Sequence, residues 1–245
     1  MESMRAAASA EWFEGPLGSR VLCEETALAH FALDDVFGFE LLQVGAWGPG
    51  RHLLAGARTQ HVTLVAPEHE PGATLCAPLD SLPFSSDCID AILLPHTLEL
   101  VEDPYAVLRE AERVLCAEGC LMICGFNPLS GWGLRRRFAR YFGRPAFPPQ
   151  ARRMLTERRL RDWVALLGLD VDGVYGYLGS LPISRGQREV AYRARPALAA
   201  GAYLLKARKR VSTMTLVRPK RRVRQRVLVG AVEPTRKLGQ YRDGA

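Results

Sequence analysis

The chain has 245 residues, of which 48% are hydrophobic and 24% charged, and its formal net charge is +7. This length suits one sizeable α/β domain. No apolar run approaches the ~18 residues that suggest a membrane span. The segment MESMRAAASAEWFEG has no apolar core of the kind found in a secretory signal. We therefore expect a cytoplasmic protein without a transmembrane segment.

The first third of the chain alternates between predicted helices and strands. Apolar residues at helical spacing predict a helix over residues 18–33, with Glu24 and Glu25 on the face away from the core. Strands are predicted over residues 39–44 and 61–65, with a short third strand over 73–76. A further helix is predicted over residues 51–59.

The middle of the chain reads as strand, helix, strand. Residues 89–94 are a short apolar run closed by Pro95, which suits a strand buried on both faces. Asp103 and Pro104 then predict the N-cap and first position of a helix that we expect to end at Gly119. Residues 120–125 form a second apolar strand, so the three elements predict a parallel βαβ unit.

The last part of the chain continues the alternation. Thr156 predicts the N-cap of a helix through residue 167, and residues 169–177 predict a strand. Residues 187–209 are expected to be mostly helical, with a break or kink at Pro196, and 211–217 to be the last strand. The pattern as a whole predicts an α/β fold with a doubly wound, mostly parallel sheet and helices on both faces.

One block of sequence resembles a known family. Residues 82–127 read LPFSSDCIDAILLPHTLELVEDPYAVLREAERVLCAEGCLMICGFN. The block is similar to the class I S-adenosylmethionine-dependent methyltransferases of the type 11 group, and GFNP followed by WGLRR resembles an uncharacterised bacterial branch of it. The resemblance covers about residues 39–217. It implies a Rossmann-like sheet of seven strands, with the seventh antiparallel beside the fifth, and we expect residues 169–177 and 211–217 to form that final pair.

The resemblance implies S-adenosylmethionine as the cofactor, held by the glycine-rich turn after the first strand. Gln43 stands where the family usually has an acid, and Trp47 stands where a glycine is common. Glu68 and Asp80 are the carboxylates nearest to the family's ribose- and adenine-binding positions, and we expect them to act as replacements. The predicted cofactor-binding residues are Gln43, Gly45, Ala46, Trp47, Gly48, Glu68, Asp80, Ser81, Leu82 and His96.

His96 is the one candidate for a catalytic base, because it follows the fourth strand, where this family places residues near the methyl group. The alternative interpretation is a histidine that packs on the loop or caps the strand end. The other histidines show no ligand spacing. The cysteines lack the short pair spacing usual for zinc, so no metal site is predicted.

Basic residues are distributed unevenly along the chain. Ten arginines lie within residues 135–161, and ten basic residues with no acid lie within 206–226. Such clusters attract polyanions, so RNA or an anionic membrane surface is a possible partner, and the alternative is a solvated surface. We divide the chain into a single domain over 1–217 and a basic, flexible tail over 218–245. The domain comprises an N-terminal helical segment (1–35), a cofactor half (36–128) and an acceptor-side half (129–217).

Together these features predict a methyltransferase that uses S-adenosylmethionine and acts on an anionic or membrane-associated acceptor of unknown identity. The alternative hypothesis is a catalytically inactive methyltransferase-like protein that binds RNA or another polyanion. The altered glycine loop motivates this alternative.

Overall fold

The computed structural model describes residues 12–68, 70, 72–141, 151–179 and 200–210, in which seven strands alternate with helices. In chain order the elements are α1 (Pro16–Leu33), β1 (Glu40–Val44), β2 (His61–Ala66), β3 (Leu75–Cys76), β4 (Ile89–Pro95), α2 (Thr97–Leu100), α3 (Pro104–Val114), β5 (Leu115–Phe126), α4 (Gly131–Tyr141), α5 (Glu157–Leu166), β6 (Asp170–Gly179) and β7 (Ala200–Arg208).

The strands form one sheet in the order β3-β2-β1-β4-β5-β7-β6. The first five strands of that order run parallel to one another, and β7 is antiparallel to both β5 and β6. The strand order reverses between β1 and β4. In open sheets of this kind, ligands bind beyond the carboxyl ends of the strands at the point of reversal. This doubly wound, mostly parallel sheet confirms the predicted fold class.

Apolar side chains cover both faces of the sheet. On one face Leu42 and Leu94 pack with the apolar side of α3, and on the other Leu41 and Leu93 pack with that of α1. Neighbouring residues on a strand point to opposite faces, so a strand buried on both sides needs an unbroken apolar run. The runs in β1 and β4 meet this condition.

Two predicted helix starts are confirmed. The Asp103 carboxylate accepts hydrogen bonds from the backbone N–H groups of Tyr105 and Ala106 at 3.0 and 3.1 Å, and Pro104 follows at the first helical position. The Thr156 hydroxyl accepts one from the Arg159 N–H. These contacts satisfy N–H groups that the first turn of a helix leaves without partners.

Two predicted helices are shorter than expected. Residues 51–59 contain only a single 3₁₀ turn, His52–Leu54, because no second turn of apolar residues extends its buried side. The helix that begins at Pro104 ends at Val114 rather than at Gly119, and Leu115 is already extended and pairs with Ile89 of β4. The residues before Cys120 bulge out of the β4–β5 register.

The strand beside β5 was predicted in the wrong place. Residues 200–208, expected to be helical, form β7, and they pair with β5 and β6. Their Ala, Leu and Lys residues favour helix, but the segment is buried almost throughout between two strands, and this environment overrides the propensity. Residues 187–199 and the predicted strand 211–217 lie outside the described residues.

The helix α4 has no counterpart in the sequence prediction, which assigns no helix or strand between residues 127 and 150. Among the described residues, none of the helices combines the length and apolar character needed to cross a membrane.

Candidate functional site

Four polar side chains meet in the protein interior at the carboxyl end of β4. They come from α1, the β4–α2 junction and β6, and each is almost completely buried. We call this group the histidine cluster; its members are Glu25, His96, Glu99 and Tyr177.

The imidazole of His96 lies between two carboxylates. Its Nε2 is 2.7 Å from Glu25 Oε1, and its Nδ1 is 2.9 Å from Glu99 Oε2. The Tyr177 hydroxyl donates to the same Glu25 oxygen at 2.9 Å. Glu99 Oε1 accepts from the backbone N–H of Phe126 at 2.8 Å. Each polar atom of these side chains therefore has a partner, as burial demands.

The cluster is enclosed by aromatic rings. The His96 ring stacks on Phe126 with centroids 4.0 Å apart, and the Trp47 ring lies 4.3 Å away on a tilted plane. The Trp47 indole N–H donates to Glu25 Oε2 at 2.6 Å. Trp47, from the loop after β1, is thereby fixed to α1 and β4 at once.

The two carboxylates determine the protonation state of His96. Burial alone would lower its pKa, but Glu25 and Glu99 together raise the pKa of His96 to about 9. The imidazole therefore carries a proton at neutral pH and donates from both nitrogens. Burial also raises the pKa of Tyr177 well above its usual value, so this hydroxyl stays neutral.

This geometry argues against His96 as a catalytic base. A base needs a free lone pair within reach of the proton it takes, and both His96 nitrogens are engaged by carboxylates. The backbone of His96 is in the left-handed region, with φ at +54°, which is uncommon for a residue other than glycine. Such conformations persist where the surroundings over-determine them. His96 holds its neighbours in place.

The glycine loop is shaped by contacts within the protein as well as by backbone conformation. Gly45 has a φ of +94°, and a Cβ placed on it would lie 2.6 Å from Thr97 Oγ1. The Thr97 hydroxyl donates to the Val44 carbonyl at 2.5 Å, so Gly45 has to be small for the end of β1 and the start of α2 to approach each other here. Gly50, with a φ of +62°, has no described atom within 4 Å of an added Cβ, while its Cα is approached so closely by Gly72 that a Cβ on Gly72 would lie 2.9 Å from it.

One buried polar atom fits the predicted cofactor. Gln43 lies in β1, and its Nε2 donates to the Gly45 carbonyl at 3.0 Å. Its Oε1 is buried and has no hydrogen-bond partner among the described residues. An orphaned acceptor of this kind is costly unless a donor reaches it. The ammonium group of the amino-acid part of S-adenosylmethionine is such a donor.

The other predicted cofactor-binding residues divide between this strand edge and its surroundings. Ala46 is half-buried, and Gly48 has a φ of +73°. Glu68 follows β2, and Asp80 and Ser81 follow β3, all exposed beyond the carboxyl ends of these parallel strands. Leu82 is buried, and its N–H donates to the Glu110 carboxylate at 2.7 Å, so its backbone is directed to α3.

The structure brings Gln43, Gly45, Trp47 and His96 together, whereas Glu68 and Asp80 share only the same sheet edge with them. Glu25, Glu99 and Tyr177 were missed. The sequence did hold a signal for Glu25, because it falls in one helical stripe with Val21, Leu28 and Ala32. The prediction that Glu25 faces away from the core is wrong. A carboxylate inside an apolar stripe needs a buried partner.

The described basic residues of the 206–226 cluster are paired with acids. Lys206 contacts Asp35, Arg208 contacts Asp172, and Lys209 contacts Asp87 and Glu112. The described part of the 206–226 cluster, residues 206–210, therefore stabilises the fold rather than forming a free basic surface. Residues 211–226 lie outside the described residues.

The 135–161 cluster is mixed. Arg136 is buried and donates to the Ala151 carbonyl, and Arg152 pairs with Glu102 at 2.6 Å. Arg135 and Arg137 are exposed, and no ion pair joins either of them to another described residue. Arg153, Arg158 and Arg159 are also exposed and without an ion pair to another described residue, so the free positive charge of this region is divided between α4 and the residues around the start of α5.

The described residues hold no group of three or more histidine, cysteine or acidic side chains arranged to bind a metal ion. Three of the six cysteines, Cys23, Cys76 and Cys88, are exposed, and Cys120 and Cys124 are buried in β5. Burial raises the pKa of Cys120 to about 11, so its thiol stays protonated.

The sequence is similar to a methyltransferase family and to several bacterial proteins. A family model described as "Methyltransferase domain" matches residues 50–123. The uncharacterized protein YafS of Escherichia coli (strain K12) is 35% identical over 208 residues, which cover 82% of this chain and 82% of YafS. The malonyl-[acyl-carrier protein] O-methyltransferase of Halorhodospira halophila is 34% identical over 86 residues, which cover 35% of this chain and 29% of that protein.

Among solved structures, a crystal structure from Thermotoga maritima superposes with a TM-score of 0.62 at 19% identity, covering 82% of this chain and 93% of that chain. It is described as a methyltransferase dependent on S-adenosylmethionine and a possible histamine N-methyltransferase. At this identity the likeness shows the fold alone.

Proposed function

This chain belongs to the type 11 group of class I S-adenosylmethionine-dependent methyltransferases, and we propose that it methylates an anionic or membrane-associated acceptor. S-adenosylmethionine is the cofactor of the family. The orphaned Gln43 oxygen is the observation that carries the proposal of an active enzyme, because it supplies an acceptor at the strand end where the family holds the cofactor.

We assign three groups to the cofactor. Gln43 Oε1 would accept a hydrogen bond from its ammonium group. Glu68 and Asp80 would accept hydrogen bonds from its ribose hydroxyls and adenine amino group, replacing the acids that the family usually carries nearer to the strand ends. Each such bond to a charged group is worth about 1.5–3 kcal/mol. Glu68→Ala and Asp80→Ala should each weaken binding of S-adenosylhomocysteine by about 1–3 kcal/mol in calorimetry.

The matched control for these two variants is Glu14→Ala, which removes an exposed carboxylate before α1. It should leave the affinity unchanged. If Glu68→Ala and Asp80→Ala both bind like the parent, the replacement of the family acids by these residues is refuted.

When bound, S-adenosylmethionine supplies an electrophilic methyl group, so the protein has little covalent chemistry to perform. Its residues have to orient the acceptor and exclude water, and orientation alone can contribute about 7–11 kcal/mol to lowering the barrier. Trp47 and Phe126, which flank His96 at the carboxyl edge, form the apolar wall that excludes water. The histidine cluster fixes Trp47 in that wall through the indole N–H.

The acceptor side is assigned from charge and exposure. The unpaired arginines of α4 follow β5, the strand that ends at Phe126 beside the histidine cluster. A fixed positive charge at the mouth of a site attracts anionic substrates. One relative is named for malonyl-[acyl-carrier protein] as its acceptor, and a malonyl group carries a carboxylate. These observations favour an anionic acceptor, and a cytoplasmic location would suit it.

The test supplies methyl-labelled S-adenosylmethionine together with separated lipid, RNA, protein and neutral small-molecule fractions of a bacterial extract. We expect label in the lipid fraction or in material retained by an anion exchanger. Heat-inactivated protein is the control. Label confined to neutral small molecules would refute the proposed acceptor while leaving the methyltransferase activity in place.

A second candidate function is a catalytically inactive protein that binds RNA or another polyanion. Trp47 favours it, because this buried side chain stands where the family commonly has a glycine. On this hypothesis, calorimetry detects no binding of S-adenosylhomocysteine at millimolar concentration, and RNA is retained with an affinity that falls steeply with salt. Micromolar binding of S-adenosylhomocysteine would exclude it.

A further inference from the structure

The helix α4 is fixed in orientation by its inner face. Trp132 packs directly on Gly201 of β7, where a Cβ would collide with the indole ring. One turn further along, Arg136 is buried and donates to the Ala151 carbonyl. Residues four apart lie on the same side of a helix, so these two contacts define the side that faces the protein.

The start of α4 is tied to the sheet as well. The Asn127 side chain donates to the Ala200 carbonyl at 3.1 Å, and its backbone N–H donates to the Gly201 carbonyl at 2.9 Å. The Ser130 hydroxyl donates to the Asn127 carbonyl at 2.6 Å. The helix therefore leaves the sheet in a set direction, and its outer face is determined.

That outer face is apolar along its centre and basic at its borders. Leu134 and Phe138, also four apart, are 54% and 56% exposed, and Leu129 just before the helix is 69% exposed. At 100° per residue, Arg135 falls on one side of the Leu134–Phe138 ridge and Arg137 on the other. The described residues of this face include no acid.

We propose that this face of α4 rests on an anionic bilayer surface. An apolar ridge flanked by arginines is the arrangement of helices that lie in the membrane interface, where the apolar side chains enter the acyl boundary and the guanidinium groups reach phosphate. A protein that bound this face would need an apolar pocket surrounded by acidic residues. An anionic bilayer offers apolar acyl chains and negative charge at every point of its surface.

The proposal rests on the proposed function, because it states how a membrane-associated acceptor would reach the site. The helix starts close to the carboxyl end of β5, and Phe126 at that end stacks on His96. A bilayer held against α4 would therefore lie on the side of the sheet where the histidine cluster and the glycine loop are found.

The test is co-sedimentation of the full chain with vesicles of phosphatidylglycerol and phosphatidylcholine, and with vesicles of phosphatidylcholine alone. We expect binding to the anionic vesicles that weakens as salt is raised. Leu134→Ser with Phe138→Ser should lower this affinity at least about tenfold. Arg135→Gln with Arg137→Gln should lower it about 25-fold, since each arginine near an anionic surface contributes about fivefold.

Matched controls come from α5. Leu166→Ser removes an apolar side chain that is 76% exposed, and Arg158→Gln removes an exposed arginine. Both should bind vesicles like the parent. All variants are compared for S-adenosylhomocysteine affinity and for the midpoint of urea unfolding, and both quantities should match those of the parent.

Three results would overturn the proposal. They are failure of the parent to bind anionic vesicles, unchanged binding by either double variant, and conversion of a dimer to a monomer by the Leu134/Phe138 variant with vesicle binding unchanged. The last result would assign the face to a second copy of the chain. If the parent does not bind S-adenosylhomocysteine, that result counts against the proposed function and not against this proposal, because vesicle binding is measured without cofactor.

Discussion

At the residue scale, His96 is the centre of the candidate site. It adopts a left-handed conformation, stacks on Phe126 and Trp47, and shares its protons with two carboxylates. A buried ionic group of this kind specifies a single arrangement of its neighbours even where it adds little net stability. Among these neighbours, Trp47 depends on the cluster through the hydrogen bond from its indole N–H to Glu25.

The raised pKa of His96 predicts a pH dependence of stability. The folded pKa of about 9 lies above the unfolded value of 6.5. The stabilisation that protonated His96 contributes is therefore fully present below about pH 6.5 and is lost as the pH rises through about 9. Between these limits the parent's free energy of unfolding should fall on the order of 2–3 kcal/mol more than that of His96→Gln. Urea unfolding at a series of pH values measures the difference.

The control is Gln60→Leu, which replaces an exposed side chain that does not titrate. It should keep the pH slope of the parent. Burial also raises the pKa of Tyr177 and Cys124, which adjoin the cluster, so both lower the stability at the alkaline end of this range by ionising in the unfolded chain only. The parent and His96→Gln share these two contributions, which cancel in the comparison. Parallel curves for the parent and His96→Gln would mean that His96 is neutral in the folded protein.

Gln43 gives the second prediction at this scale. Gln43→Leu removes the orphaned acceptor together with the donor to Gly45. Losing the hydrogen bond should lower the free energy of unfolding by about 1 kcal/mol, and removing the unpaired acceptor should raise it by about the same amount. Stability should therefore change little. The affinity for S-adenosylhomocysteine should fall about tenfold, which calorimetry would detect. Exposed Gln60→Leu is the control, and an unchanged affinity in Gln43→Leu would show that Oε1 does not meet the ligand.

At the scale of elements, an ion pair between a buried ammonium and an exposed carboxylate joins β7 to the end of α1. Lys206 is buried in the strand, and its ammonium donates to Asp35 and, at 2.8 Å, to the Ala32 carbonyl near the end of α1. The contact joins α1 to the sheet. It also explains how a lysine can occupy a central strand, since a buried ammonium needs acceptors.

Removal of Asp35 and removal of Lys206 should lower the free energy of unfolding by different amounts. Asp35→Ala leaves the ammonium buried with one acceptor and should cost about 1–3 kcal/mol of unfolding free energy. Lys206→Met should cost less, because the Asp35 side chain is 63% exposed and returns to water. Urea unfolding measures both, with exposed Glu14→Ala as the control. A larger loss for Lys206→Met than for Asp35→Ala would refute this account of β7.

At the scale of the whole molecule, the sheet and the site belong to residues before 211, and the basic tail is a separate prediction from sequence. We expect a chain ending at residue 217 to bind S-adenosylhomocysteine within about twofold of the full chain, and saturating ligand to raise the unfolding temperature of both equally. Calorimetry and thermal unfolding measure these quantities. Loss of binding on truncation would place part of the cofactor site in residues 218–245.

Local sequence patterns determined the centre of the fold. The β4–α3–β5 unit, the caps at Asp103 and Thr156, and the position of the glycine loop each depend on residues close together in the chain. Apolar periodicity and cap chemistry act over a few residues, so a single sequence records them. The same patterns placed Gln43, Gly45, Trp47 and His96 at one sheet edge.

Only the tertiary structure decided which segment lies beside β5 and which side chains surround His96. Residues 200–208 have the propensities of a helix and become a strand because β5 and β6 bury them. Glu25 and Tyr177 are 71 and 81 positions from His96, and they meet it only because α1 and β6 pack at the end of β4. Contacts at such separations depend on the packing of whole elements, and no local pattern in the sequence encodes them.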